Sequence, residues 1–307
     1  MTVLGLGYAG LSFLLEHVRM ALKARRDAQR YLNYSMEWDI FADYVLPYSV
    51  LDEKLDMNWN WRQRLHQSLV SVLRSSTNLT MAVHKLVETL PFILAEGALA
   101  LGSSGDQQSR MTYGGGHSGA SLVPGNTFDW VSETAPGYLS PQQVCYFGGS
   151  CTGTGILLVK AARAIGIPAR LAGCSESVPN DDHHWVEFRM KGGPFGDNWQ
   201  TREGVSVGNE NGPWNSPSQP MRGCLKALKV DDSFHTIWAT KWSSEVFLPT
   251  LWHGGASDAF WGFVGGENRC GAYCTAWGCG DEQQHKYTQE ECQPPGHSHS
   301  NRQQIGK

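Results

Sequence analysis

Residues 156–165, "ILLVKAARAI", are apolar on nearly every face of a helix, and few arrangements constrain a chain more. A helix without a polar face must be covered all round, so it belongs at the centre of a domain. Its ends are marked as well. Ser150, Thr152 and Thr154 offer oxygens to the unpaired N–H groups of a first turn, and Gly166 with Pro168 stops the helix. Cys151 then stands at the N-terminus, where free N–H groups and the helix dipole favour a thiolate. Without context, a cysteine at the start of a buried helix is more often packing than chemistry.

The 307 residues suffice for one large domain or two small ones around a substantial core. Apolar content of 41% and charged content of 18% fit a globular protein, and 12 Trp with 35 Gly point to loops held by large aromatic anchors. The net charge is −4, with no basic run beyond Lys23-Ala24-Arg25-Arg26, so nucleic acid is not an expected partner. Thr2 to Leu15 is shorter than the roughly 20 residues that span a bilayer and shows no cleavage signal. Leu14, Leu15, Val18, Ala21 and Leu22 recur at helical spacing instead, predicting an amphipathic helix that runs into Arg25-Arg26. Neither a secretion signal nor membrane anchoring is expected. Eight cysteines and the sequons at Asn33 and Asn78 lean towards an oxidising compartment.

Along the chain, residues 1–100 read as a helical N-terminal region packing on a core. Trp61-Arg62 opens a run with Leu65, Leu69, Val72 and Leu73 on one stripe, and Met81 to Ala100 predicts a helix interrupted at Pro91. Residues 101–210 read as the core. They begin with a long loop rich in Gly, Ser and Pro ("YGGGHSGASLVPGN"), of a length uncommon without a function. Residues 211–307 read as a loop-rich, cysteine-containing extension, entered through "NENGPWNSPSQP". The three parts are expected to form one compact domain.

The segment "DDHHWVEFRM" alternates as a strand does: His183, Trp185 and Glu187 share one face, His184, Val186 and Phe188 the other. "KGGPFGDNW" predicts a turn and the start of a neighbouring strand carrying Asp197. Cysteine on a helix N-terminus, histidine on one strand and aspartate on the next make a nucleophile, a base and an orienter. The histidine manages the thiol proton, and the carboxylate fixes its tautomer and stabilises the imidazolium.

These residues resemble the transglutaminase-like superfamily. Cys151 and the helix ending in Gly166-Ile167-Pro168-Ala169-Arg170 are similar to its Cys-helix-Gly-Ile-Pro-Ala-Arg signature, without a gap. His183-His184-Trp185-Val186-Glu187 resembles its His-Ala-Trp-Val-Glu strand. More loosely, "WDIFADYVLPYSVLDEKLDMNWNWR" is similar to the helical lead-in of some members. The resemblance implies an α+β fold with a papain-like core, its central helix packed on an antiparallel sheet. It implies catalysis by Cys151 and His183, the histidine lying two before the tryptophan, with His184 in the place of a small residue. Asp197 falls near the position of the third member, although Asn198-Trp199 follows it where the family has Pro. Aligning Trp199 with the family tryptophan nominates Glu203 instead, and His184 is the alternative base.

The implied activity is that of an amide-acting thiol enzyme on protein or peptide substrates, working through a thioester and needing no cofactor. Cross-linking, proteolytic and deglycosylating members share these motifs. Hydrolysis is slightly favoured, because nothing resembles the multidomain calcium-regulated animal enzymes. A non-catalytic scaffold is the alternative, since some members have lost the triad. Gln142, Gln143 and Tyr146 precede the nucleophile and could donate to an oxyanion beside the Cys151 N–H; Gln143 and Trp185 are the candidate supports. Arg170 reads as structural, with Glu187 as a partner. Among the C-terminal cysteines, "CGAYCTAWGC" and Cys292 lack the paired CxxC spacing of ordinary zinc sites, so no metal site is assigned. Zinc with His285, His297 or His299, disulfides and free thiols all stay open there. His117 reads as a surface residue of the glycine-rich loop.

Overall fold

The computed structural model describes residues 7–51, 59–95, 120–123, 126–128, 141–142, 144, 151–174, 183–190, 199–202, 237–242, 247–250, 260–269 and 271–273. Helices α1 (Gly7–Leu32), α2 (Trp38–Tyr44), α3 (Trp61–Arg74) and α4 (Leu79–Ala95) come first. A hairpin of β1 (Ala120–Val123) and β2 (Asn126–Phe128) follows, then α5 (Cys151–Ala164). The remaining strands are β3 (Ala169–Cys174), β4 (His183–Arg189), β5 (Trp199–Arg202), β6 (Ile237–Thr240), β7 (Phe247–Thr250) and β8 (Phe260–Asn268).

The position of α5 follows from its apolar faces. Every residue from Thr152 to Ala164 is buried, with α1, α3 and α4 packed on it and β3 and β4 against its remaining side. Gly155 permits the close helix–sheet contact: a Cβ there would stand 2.5 Å from Leu171 Cδ1. The helix ends on Gly166 at φ 77°, a conformation that favours glycine. The Ile167 N–H returns to the Ala162 carbonyl at 2.9 Å. Two cations inside this helix are accommodated in different ways. Arg163 donates to the carbonyls of Ala169 and Ser49 at 3.2 and 2.9 Å, while Lys160 Nζ lies over the rings of Tyr48 and Trp61 at 4.6 and 5.0 Å.

The N-terminal region is helical over its described residues, with differences from the sequence reading. In α1 the buried positions are Gly10, His17, Ala21, Ala24, Ala28 and Leu32, whereas Leu15 and Val18 are 50% and 41% exposed. Ala21 of the expected stripe is buried and Leu14 and Leu22 are half-buried, and side-chain size explains the shift towards the alanines. The stripe of alanines lets the α1 backbone reach the turn at Gly166, where an added Cβ would clash with the Ala24 carbonyl; leucines there would hold the helices apart. In α4 the helix runs through Pro91. The ring's fixed φ is helical, and the break expected from the missing N–H does not occur. Asn60 and Asn78 start α3 and α4, their side-chain oxygens accepting from the Gln63 and Met81 N–H groups at 3.1 and 2.9 Å. Leu65, Leu69, Val72 and Leu73 are buried as one stripe.

The six-stranded sheet has the order β5-β4-β3-β6-β8-β7 with antiparallel neighbours throughout. Helices packed on an antiparallel sheet make the fold α+β. Residues beyond 211, read from the sequence as loop-rich, supply β6, β7 and β8. The glycine-containing β8, "FWGFVGGEN", carries little alternation, and β6 and β7 have only four residues each; β6 pairs on the edge of β3, β8 on β6 and β7 on β8. On β4, Val186 and Phe188 join the core that includes Ile156 and Leu157 of α5. Trp185 and Glu187 lie on the opposite face. Among the described residues, no helix is long and apolar enough to cross a membrane.

Candidate active site

Cys151 is the first residue of α5 and partly exposed, whereas the thirteen residues after it are buried. The thiol therefore marks the place where a wholly enclosed helix reaches the surface, at the end where its N–H groups and dipole stabilise negative charge. Thr154 Oγ1 donates back to the Cys151 carbonyl at 3.3 Å. The neighbouring hydroxyl faces the sheet: Thr152 Oγ1 lies 2.6 Å from Nδ1 of His184, a buried side chain 4% exposed.

The histidine pair opens β4, with His183 opposite Cys174 and His184 opposite Gly173 in the backbone register of β3. The side chain of His183 lies outside the described residues, as do Asp197, Glu203, Gln143 and Tyr146. Gln142 is described and partly exposed. His117, Cys270, Cys274, Cys279, Cys292 and the three C-terminal histidines also lie outside them. The structure thus brings His184 to the cysteine end of α5 through Thr152, a residue the sequence marked only as a helix cap.

Behind the histidines, on the face away from α5, sits a buried polar cluster. Arg170 Nε donates to Glu187 Oε2 at 2.6 Å, which is the pairing expected of them, and Arg170 Nη1 reaches Glu267 Oε2 at 3.0 Å and the Tyr44 hydroxyl at 3.3 Å. The guanidinium lies 3.9 Å from the centroid of the Trp199 ring. Arg269 Nε and the Tyr273 hydroxyl both donate to Glu187 Oε1, at 3.2 and 2.7 Å. That hydroxyl in turn accepts from Trp185 Nε1. Burial by itself would raise the Glu187 carboxyl, but Arg170, Arg269 and the Tyr273 bond hold it below its ordinary value. Burial pushes the Tyr44 hydroxyl up to about 12. The indole N–H of Trp185 is thus engaged in holding β4, and the carboxylate is ionised and matched.

Arg269, Tyr273 and Glu267 escaped the sequence reading. They come from the far end of the sheet, Arg269 and Tyr273 lying 82 and 86 residues from Glu187, and no local periodicity links them to it. The one available signal was the buried charge of the "HHWVEF" strand, which required cations from elsewhere.

The site can present an accessible thiol at a helix N-terminus, a buried histidine anchored one residue away, and a strand whose far face is locked. Residues 125–201 match the family model of the transglutaminase-like superfamily, whose members are typically cysteine-dependent enzymes. The match covers about a quarter of the chain, running from the β1–β2 hairpin to β5, and it includes Cys151, both histidines and Asp197. No curated protein and no solved structure matches the chain.

Proposed function

We propose that this chain is a cysteine-dependent amide-acting enzyme with a papain-like transglutaminase core formed by residues 101–210. The helical region 1–100 supports that core, and the region 211–307 extends its sheet. The observation that carries the proposal is the partly exposed Cys151 thiol at the head of an otherwise buried helix, beside a histidine-bearing strand.

In this reading the Cys151 thiolate attacks the carbonyl carbon of a peptide or side-chain amide. The developing oxyanion is met by backbone N–H groups at the α5 terminus, with Gln143 as a further donor and Trp185 as a support of the strand. His183 gives its proton to the leaving amine as the C–N bond breaks, and a thioester remains on Cys151. Water, or an amine in a transfer reaction, then adds to the thioester. The histidine takes up the nucleophile's proton, and the C–S bond breaks to restore the thiolate. Asp197 orients the imidazole. Hydrolysis is the favoured outcome.

A second assignment of the base has its own support. The contact between Thr152 and His184 puts the latter ring at the thiol end of α5, so His184 is the base in that version, with Glu203 the alternative to Asp197.

Intact-mass analysis of glutamine-containing peptides incubated with the protein and a primary amine tests the proposal. Transfer adds the amine's mass less about 17 Da, hydrolysis of a side-chain amide adds about 1 Da, and proteolysis yields fragments. Cys151→Ala is expected to abolish whichever product forms; full activity in that variant overturns Cys151 as the nucleophile. Separate His183→Ala and His184→Ala variants identify the base, whose loss should lower kcat by roughly 10²- to 10⁴-fold.

A further inference from the structure

We infer that Thr152 is a positioning residue of this site: its hydroxyl ties the thiol end of α5 to the start of β4 and thereby sets the histidine that serves Cys151. The inference rests on the reading of Cys151 as nucleophile and goes beyond it, to a residue that the sequence marks only as a helix cap.

Three observations carry it. The contact is short and enclosed: Thr152 Oγ1 stands 2.6 Å from His184 Nδ1, with Thr152 1% and His184 4% exposed. A hydroxyl–imidazole bond shielded from water in this way is stronger than one on the surface and costs more to leave unmade. The two partners are also the immediate chain neighbours of the reacting groups, Thr152 of Cys151 and His184 of His183. A displacement of either is passed on through one peptide unit. Finally, the contact lies at the start of a strand that is held further along. Further along β4, Val186 and Phe188 are gripped by the core, and Trp185 and Glu187 by Tyr273, Arg170 and Arg269. At the first turn of α5, the Thr152 hydroxyl bridges helix and strand.

The hydroxyl is what matters, not the residue's shape. Valine matches threonine in volume and branching but cannot pair with an imidazole nitrogen, whereas serine keeps the hydroxyl and loses a methyl group. The test is the rate of Cys151 alkylation by iodoacetamide as a function of pH in the full chain, for wild type, Thr152→Val and Thr152→Ser. A histidine-assisted thiol gives an inflection well below that of a free cysteine. Thr152→Val is expected to move that inflection up by about one unit and to slow labelling near pH 6 roughly tenfold. Thr152→Ser is expected to return both to near the wild-type values.

Nitrogen-15 NMR of the histidine side chains adds a readout independent of catalysis and of whether the valine variant folds. His184 Nδ1, assigned through a His184→Gln spectrum, should carry the shift of a hydrogen-bonded nitrogen in wild type and in Cys151→Ala. A low wild-type inflection that is unchanged by Thr152→Val overturns the positioning role alone. So does a serine variant as impaired as the valine one, or a His184 Nδ1 without a hydrogen bond. A wild-type thiol that titrates like free cysteine overturns the catalytic reading itself, and the positioning role with it.

Discussion

His17 shows at the scale of one residue how the helical region restrains ionisation. It is 3% exposed, with its ring centroid 4.5 Å from that of Phe13, 4.7 Å from Tyr48 and 5.4 Å from Trp61. Its ring nitrogens have no hydrogen-bond partner among the described residues. Burial first, then the nearby cations Arg62 on α3 and Lys160 on α5, bring its pKa from 6.5 down to about 3. The sign of the linkage follows. An unfolded chain takes up the proton near pH 6.5, while the folded one resists until about 3, so stability falls as the pH drops through that window. His17→Phe keeps the aromatic packing and removes the titration. Between about pH 7 and pH 4.5, urea unfolding should show the variant losing about 1–3 kcal/mol less than wild type. Equal losses would mean that His17 is charged in the fold. The imidazole could be located in the sequence, but not its burial, because the rings around it come from α1, α3 and the segment after α2.

At the scale of elements, small residues decide how closely helices approach. Gly155 and Gly166 differ in what they face. A methyl group at Gly155 meets the end of the Leu171 side chain, which can rotate, and 3.9 Å away Val186 Cγ2. At Gly166 it meets the Ala24 backbone, which can move only with the whole of α1, and the φ of 77° is itself strained for any other residue. Gly166→Ala should therefore cost about 2–4 kcal/mol in thermal or denaturant unfolding, and Gly155→Ala about 1–2 kcal/mol. The reverse order would show that α1 is not seated on this turn. The course of α5 was legible because its composition and its stop at Gly166 are local, whereas the hydroxyls of Thr152 and Thr154, expected to cap it, go to His184 and the Cys151 carbonyl. The buried face of α1 was legible only in part, at Ala21 and the half-buried Leu22. Hydrophobic periodicity marks leucines as inward, whereas the packing here selects alanines, and only the neighbouring turn reveals why.

At the scale of the molecule, the sheet unites distant parts of the chain. The strand β3 lies between β4 on one side and β6 on the other, and the polar cluster crosses the same boundary, joining Tyr44, Arg170, Glu187, Glu267, Arg269 and Tyr273. The family match ends at residue 201, so half of the sheet's strands and two of Glu187's donors come from beyond it. Tyr273→Phe tests this coupling. It removes the acceptor that Tyr273 offers to the Trp185 indole N–H and one of the two donors to Glu187 Oε1, and should cost about 1–3 kcal/mol. It should also bring acid unfolding on at a higher pH. Glu187 is held below its ordinary value of 4.5, so its contribution is present above that pH and is lost as pH falls through its lower folded value. Removing a bond that holds it low narrows that range. Unchanged stability and an unchanged acid limb would show that the region beyond 211 does not support the strand bearing the histidines.

By itself, the sequence determined that residues 151–164 form a buried, sharply terminated helix with a cysteine at its head. It also determined that Trp185 and Glu187 share one face of the histidine-bearing strand and Val186 and Phe188 the other. Both properties are periodic and local, written within a dozen or so residues. Tertiary structure alone decided which hydroxyl meets which imidazole at the mouth of the site, which alanines of α1 face inward, and which distant arginine and tyrosine secure Glu187. Those choices depend on partners far away in the chain, and a short-range pattern carries no record of them.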